Sequence, residues 1–454
     1  MRSVVAGRLH RAVVVSRDRV LRRFWVSQMV SEMGDWIGLL GIAALLYENT
    51  GLALAASASL AALYLPYLFA PLLVGWTAKI PPRRLLIGAD LLRAGLILLL
   101  LVPDLPTWSL LGLVFLASVP TSVYEATRAA AVPEYAPDEE TREDALVLFQ
   151  STQQMASLVG FLVGGAALAF VGFGFAIALN ALSFLVSGLL LLGVPALDPL
   201  ADVTESARSL LRNGIRALVG RPLLRRAVVL SVVSASTIMA GEALVVVYAT
   251  QFHHPGFAGP LAALMAFVAA LLGLVLPRRR SSADLMRLSA LTMVAGAVLA
   301  IAGFALPPSI VPALVGYIGL GIISAPGALT YVVAVREMAP AVRAPVFALV
   351  QVVLMGGQAA VAVLAGSLAD LTAVGTSIAV WQVPTVLVAL WVLAASFVAY
   401  VSTAAARQRR RVATRARAVP PPVAQSPRAP APSPEPPASQ APRAPERPAL
   451  PTKN

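Results

Sequence analysis

Three observations predict an all-α membrane protein of twelve transmembrane helices in two six-helix halves. The composition is too apolar for an aqueous core, the apolar runs are long enough to span a bilayer, and an internal repeat divides those runs six and six. Of 454 residues, 58% are hydrophobic and only 13% charged, far more apolar surface than one soluble core hides. Lipid must be part of the solvent. Runs such as Leu52 to Trp76, Leu85 to Val102, Ser289 to Leu306 and Val380 to Val401 match the ~20 residues that carry a helix across a ~30 Å hydrocarbon layer. They are continuously apolar rather than alternating, which selects helices over barrel strands.

In chain order, residues 1–23 form a cytoplasmic basic leader carrying Arg2, Arg8, Arg11, Arg17, Arg19, Arg22 and Arg23. It has no short apolar core ending in a small-residue cleavage site, so no removed signal peptide is expected. An N-terminal six-helix bundle over 24–196 places spans at 24–48, 53–76, 84–103, 108–130, 146–170 and 173–194. The polar stretch 197–226, rich in Ser and Arg, reads as a cytoplasmic linker with an amphipathic helix on the membrane surface. A second bundle over 227–402 places spans at 227–250, 258–276, 285–306, 309–334, 345–370 and 376–402. From 403 to 454 an Arg cluster, Arg407 to Arg417, precedes 13 prolines between Pro420 and Pro451. That composition predicts a disordered cytoplasmic tail, its cations lying on anionic headgroups or acting only as a topology signal.

The repeat supports the division. Glu134-Tyr-Ala-Pro137 with Ala145-Leu-Val147 returns as Glu337-Met-Ala-Pro340 with Ala348-Leu-Val350, and Pro82-Arg-Arg84 returns as Pro277-Arg-Arg279. Parallel repeats of this kind place a cavity between the halves near mid-membrane. The net charge is +13, and its distribution explains it. With both termini cytoplasmic, 34 of the 35 Lys and Arg fall in cytoplasmic segments and the last, Arg93, lies within span three. Topology and anionic lipid account for the charge, so nucleic acid is not an expected partner.

No nucleophile–base–acid set, phosphate loop or metal-ligand spacing occurs. Cysteine is absent, and the histidines are His10, His253 and His254. No enzyme, cofactor or metal site is expected. An ion gradient or the solute's own gradient must then drive any work, which directs attention to ionisable groups inside the membrane. Asp35 lies eleven residues into span one, ~16 Å deep. With Gly34 leaving room beside it, it is the first candidate for proton coupling, the alternative being a pair with a neighbouring helix. Glu32, one turn earlier on the same face, either shares a proton with Asp35 or faces the cytoplasmic vestibule. Glu242 in span seven, the counterpart of span one, is the third candidate.

Asp90 and Arg93 are three apart on span three and suit an intramembrane pair; with Lys79, Arg83 and Arg84 they read as a cytoplasmic gate. Glu125 and Arg128 repeat the spacing at the inner end of span four. Asp370, at the outer end of span eleven, reads as solvated. Trp36, Tyr64, Tyr67, Tyr124, Gln154, Phe161, Tyr248 and Tyr317 are candidates to line an amphipathic cavity, although Tyr and Trp also collect at membrane interfaces. Gly160-x-x-x-Gly164-Gly165 in span five reads first as close helix packing and second as a hinge.

The segment Gln28-Met-Val-Ser-Glu-Met-Gly-Asp-Trp36 resembles the opening of the macrolide-efflux and enterobactin-exporter branch of the major facilitator superfamily. Asp90-Leu-Leu-Arg-Ala94, Ala131-Val-Pro-Glu134 and Ala181-Leu-Ser-Phe184 match the same branch, and the likeness is strongest over residues 20 to 195. It implies the major facilitator fold and a proton-driven inner-membrane exporter of drugs, siderophores or other secondary metabolites. Two departures are visible. Lys79 stands where the loop after span two usually carries an acid, and Gly160-Phe161-Leu-Val-Gly164-Gly165 lacks the proline of the antiporter signature.

The leading expectation is proton-coupled export of an amphipathic small molecule by a monomeric, multi-pass protein of the bacterial inner membrane. Its partners would be the solute, protons and membrane lipid. A nutrient symporter or facilitator of the same fold is the second reading. A non-transporting scaffold with a Pro-rich recruiting tail is the third.

Overall fold

The computed structural model describes residues 18–69, 73, 77, 79–135, 139–198, 207–276, 280–338 and 340–398. The leader before residue 18, the Pro-rich tail, and Gly75 and Trp76 of the loop after span two lie outside the described residues. The first helix shows how the ends are set. In α1 (Arg19–Thr50) the Asp18 carboxylate accepts hydrogen bonds from the backbone of Val20 and Leu21 at 2.8 and 2.9 Å. Gly51, at φ 68°, takes the left-handed cap at the other end. α2 (Ala53–Tyr64) continues as a 3-10 turn, Leu65–Leu68. α3 (Pro82–Leu99) opens on proline, whose missing N–H costs nothing in a first turn. α4 (Thr107–Ala131), α5 (Glu139–Phe170) and α6 (Phe173–Leu191) complete the first half.

The linker holds α7 (Ala207–Val219), which seats Gly214 against the backbone of Pro345. Three spans of the second half are broken. α8 (Pro222–Ala243) and α9 (Val245–Thr250) meet at Leu244. After α10 (Ala258–Val275) and α11 (Ser282–Phe304), α12 (Ile310–Ser324) and α13 (Gly327–Glu337) meet at Ala325 and Pro326. After α14 (Pro340–Leu371), α15 (Val374–Val380) and α16 (383–398) meet at Trp381 and Gln382.

Nine helices among the described residues are long and apolar enough to cross a membrane. The other expected spans correspond to the shorter apolar Ala53–Leu68, to α3 with Arg83, Arg84, Asp90 and Arg93, and to α5, whose apolar part is Met155–Phe170. The architecture is all-α and compatible with twelve crossings. Helices start earlier than their apolar runs: α5 at Glu139 rather than 146, α14 at Pro340 rather than 345. Hydropathy marks the hydrocarbon layer, whereas intrahelical hydrogen bonds continue into the interface. Exposed Trp108, Phe170, Leu371 and Phe397 show an apolar outer surface suited to lipid.

The repeat is visible as geometry. α5 and α14 follow its two copies and are each 32 residues long. They meet equivalent partners in the opposite half, since α14 lies along α2 and α5 along α10. Contact between the halves is very close at the side opposite the described N-terminus. A Cβ on Gly259 would fall 2.2 Å from the Phe161 carbonyl, and one on Gly366 1.9 Å from the Ser57 hydroxyl. Small residues there let helix backbones touch.

Candidate functional site

The orientation of α1 follows from small residues on two of its faces. Gly34, Gly38 and Gly41 form one stripe, against which Ser183, Asn180 and Ala176 of α6 sit where Cβ atoms would be. On the other side, Gly160 and Gly164 of α5 press on Met33, Trp36 and Ile37. The helix cannot rotate without steric clash, so the directions of Glu32, Asp35 and Trp36 are fixed. Gly34 therefore serves helix packing rather than room beside Asp35. The Gly160/Gly164/Gly165 motif does the same, which agrees with its packing reading.

Asp35, midway along α1, does not stand alone. Arg93 Nη2 donates to both of its oxygens, at 2.7 and 2.6 Å. The guanidinium also reaches Ser31 Oγ at 3.3 Å and lies 3.5 Å from Asp90, and it stacks 3.8 Å over the Phe184 ring. Ser187 donates to Asp90 at 2.6 Å and is hydrogen-bonded to Ser27 at 2.8 Å. Arg93 and Asp90 are sealed, with side chains 2% and 0% exposed, while Asp35 is 32% exposed. Only one member of the triad is reachable from open space. Asp35, Ser59, Arg93, Asn180 and Phe184 also border a cavity of about 30 Å³ inside the first half.

A second pair ties α1 to α4. Arg128 Nη1 donates to Glu32 Oε1 at 2.7 Å, and Gln28 Nε2 donates to the same oxygen at 2.6 Å. Glu32 and Asp35 are thus each closed on an arginine of another helix, and of the two alternatives for Glu32 the shared proton is not the arrangement found. The expected Asp90–Arg93 pair is present at 3.5 Å, with Asp35 a closer second partner of Arg93, whereas Arg128 bonds Glu32 rather than Glu125. Spacing along one helix found the first of those pairs, and packing between helices supplied the closer partners. Tyr67 lies within electrostatic reach of Glu125. Tyr64, half-buried, lies within electrostatic reach of both Glu125 and Glu242.

Glu242 is the carboxylate of the second half's inner region. It is 9% exposed and sits in the last turn of α8, just before the break at Leu244. The Tyr317 hydroxyl donates at 2.8 Å to the carbonyl of the adjacent Gly241, satisfying part of the interrupted ladder. No hydrogen bond or ion pair reaches the Glu242 carboxyl group among the described residues.

Other candidates fall elsewhere. Tyr248 and Tyr317 are 0% exposed, each packed edge-on to Phe304, and belong to the core of the second half. Tyr124 is buried with Arg93 5.7 Å from its ring. Trp36 is half-buried against Phe161 at 4.9 Å, and the side chain of Gln154 lies outside the described residues. Arg83 donates to the Leu192 carbonyl at 2.6 Å, while Lys79 and Arg84 are exposed. The three basic residues therefore stand apart from the Asp90 and Arg93 pair. Asp370 is exposed, as its solvated reading expects, and it also has a structural role. Its oxygens accept from the backbone N–H of Ala53 and Leu54 at 2.6 and 3.0 Å, capping α2 from the opposite half. No sequence signal near Asp370 could have found a partner more than three hundred residues away.

The family model described as Major Facilitator Superfamily matches residues 24–335. No curated protein matches the chain. Among solved structures, a variant of the nucleoside transporter NupG is similar at 13% identity and TM-score 0.67, covering 83% of this chain and 99% of its own. The POT family transporter PepTSo is similar at 13% identity and TM-score 0.62, covering 83% and 98%. A bacterial homologue of the human lysosomal transporter Spinster is similar at 13% and 0.56, covering 82% and 95%. At such identities the likeness is one of fold.

Proposed function

The chain belongs to the Major Facilitator Superfamily, and we propose from that premise that it exports amphipathic small molecules, of the drug or siderophore class, by proton-coupled alternating access. The efflux branch is favoured by the α1 segment from Gln28 to Trp36. The observation that carries the coupling is the asymmetry around Arg93. Asp35 is 32% exposed and open to proton exchange, while Arg93 is 2% exposed and is not. A proton on Asp35 removes the charge that holds the guanidinium. Arg93 then turns to Asp90, 3.5 Å away, and the tie between α1 and α3 loosens. One protonation event is thereby linked to movement of the helix that borders the interface.

With both termini cytoplasmic, as the basic residues imply, the Asp370 cap and the Gly259 contact close the outward side. That is a state ready to receive solute from the cytoplasm. Adding lipophilic drugs or iron chelators to the detergent-solubilised protein is expected to release protons from wild type and not from Asp35→Asn. A pulse that survives in the variant would transfer the coupling to Glu32 or Glu242. Binding without any release in wild type would contradict proton coupling.

A further inference from the structure

We infer that the second half holds an anionic phospholipid by its phosphate, in a basic cavity between the linker helix α7 and the N-terminal ends of α8 and α14. The cavity measures about 460 Å³. Asn213, Arg216 and Arg221 supply its polar lining, and Val342 and Pro345 of α14 line its apolar side. It shares no lining residue with the cavity at Asp35 and Arg93, so the inference stands whatever solute or ion the protein moves.

Charge without counter-charge is the first support. Residues 207–226 contain Arg208, Arg212, Arg216, Arg221, Arg225 and Arg226 and no acid. Arg216 is exposed and makes no hydrogen bond or ion pair among the described residues. Arg221 donates to the backbone carbonyl of Glu337, and no ion pair joins the two side chains. Arg343, next to Val342 in the chain, keeps a buried Nε without an acceptor. α8 begins at Pro222 with no side chain capping it, which leaves partial positive charge beside Arg221. A phosphate, with several oxygens and a geometry that guanidiniums match, supplies what this cluster lacks.

The surface of α7 selects a lipid over a soluble phosphate. Ile215 and Val219, one turn apart, are 52% and 68% exposed, and their face of the helix adjoins that of Arg212 and Arg216. Cations and apolar side chains in neighbouring rows match a headgroup and its acyl chains. Gly214 seats α7 on α14, since a Cβ there would fall 2.6 Å from the Pro345 carbonyl, and that close seat fixes the direction of both rows. With both termini cytoplasmic, the cavity lies at the cytoplasmic leaflet, whose anionic headgroups suit basic pockets between helices. An occupant would tie the linker to the ends of α8 and α14.

Phosphatidylglycerol and phosphatidylcholine share a phosphate and differ in net charge. With the full chain in detergent, native mass spectrometry is expected to show the first phosphatidylglycerol bound about tenfold more tightly than phosphatidylcholine. Arg216→Gln should weaken phosphatidylglycerol about fivefold or more. Arg225→Gln removes the same charge outside the cavity, from an exposed position, and should stay within about twofold of wild type. Arg216 has no partner in the fold, so the unfolding midpoint of Arg216→Gln without added lipid should match wild type. Ile215→Ser leaves every charge in place and should still weaken phosphatidylglycerol severalfold, while glycerol 1-phosphate should not displace the lipid. Equal affinity for the two lipids, or equal loss in Arg216→Gln and Arg225→Gln, would overturn the site. Displacement by glycerol 1-phosphate, or an unchanged affinity in Ile215→Ser, would overturn the lipid and leave a soluble phosphate as the occupant.

Discussion

At Arg93 one guanidinium answers two carboxylates and two aromatic rings, and each contact explains a different consequence of changing it. Arg93→Ala leaves the sealed Asp90 and the partly exposed Asp35 without a cation, and an uncompensated buried charge costs about 3–5 kcal/mol. Thermal unfolding in detergent is expected to show that loss; an unchanged midpoint would mean the pair is dispensable. Arg93→Lys should recover only part of it, because an ammonium cannot stack flat on Phe184 at 3.8 Å. Asp35 stood out as a candidate from depth alone, since a carboxylate in mid-membrane is expensive. Its partner was not legible. Asp35 meets Arg93 only because the Gly34 and Gly38 notches fix how α1 lies against α6, and a sequence of helical spacings has no access to that register.

Among the helices, the interface is governed by what is missing from glycine. Gly259 leaves room for the Phe161 carbonyl, and Gly366 leaves room for Ser57. Gly259→Val should therefore force α5 and α10 apart and open the side that is closed here. The chain contains no cysteine, so a single Ser57→Cys, buried at this seam, is a clean reporter. Its reaction with a membrane-impermeant thiol reagent is expected to rise in the Gly259→Val background, and an equal rate would contradict the seam assignment. Asp370→Ala should act in the same direction by removing the cap on α2, roughly 0.5–2 kcal/mol in all. Span positions were readable from apolar runs to within several residues. The breaks at Leu244, Ala325 and Trp381 were hidden, since uninterrupted hydropathy says nothing about where a helix unwinds. They occur where neighbouring side chains can take the freed groups, as Tyr317 does for Gly241.

At the scale of the molecule, the short repeats pointed to a division into two halves, and the paired contacts of α2 with α14 and α5 with α10 give those repeats a physical meaning. Alternating access then asks for one tie that breaks at the outward seam and one carboxylate that changes charge. Removal of residues 403–454 touches neither, so solute transport by the truncated chain is expected to stay within about twofold of the full chain. A complete loss would instead favour a recruiting role for the tail. The central claim is that proton uptake at Asp35 drives movement of solute. The most direct measurement is transport of a labelled lipophilic drug by the full chain in sealed vesicles, with and without an imposed pH gradient. Wild type should accumulate it with the gradient and merely exchange it without one, whereas Asp35→Asn should exchange it and fail to accumulate. Gradient-driven accumulation that persists in Asp35→Asn would contradict the account.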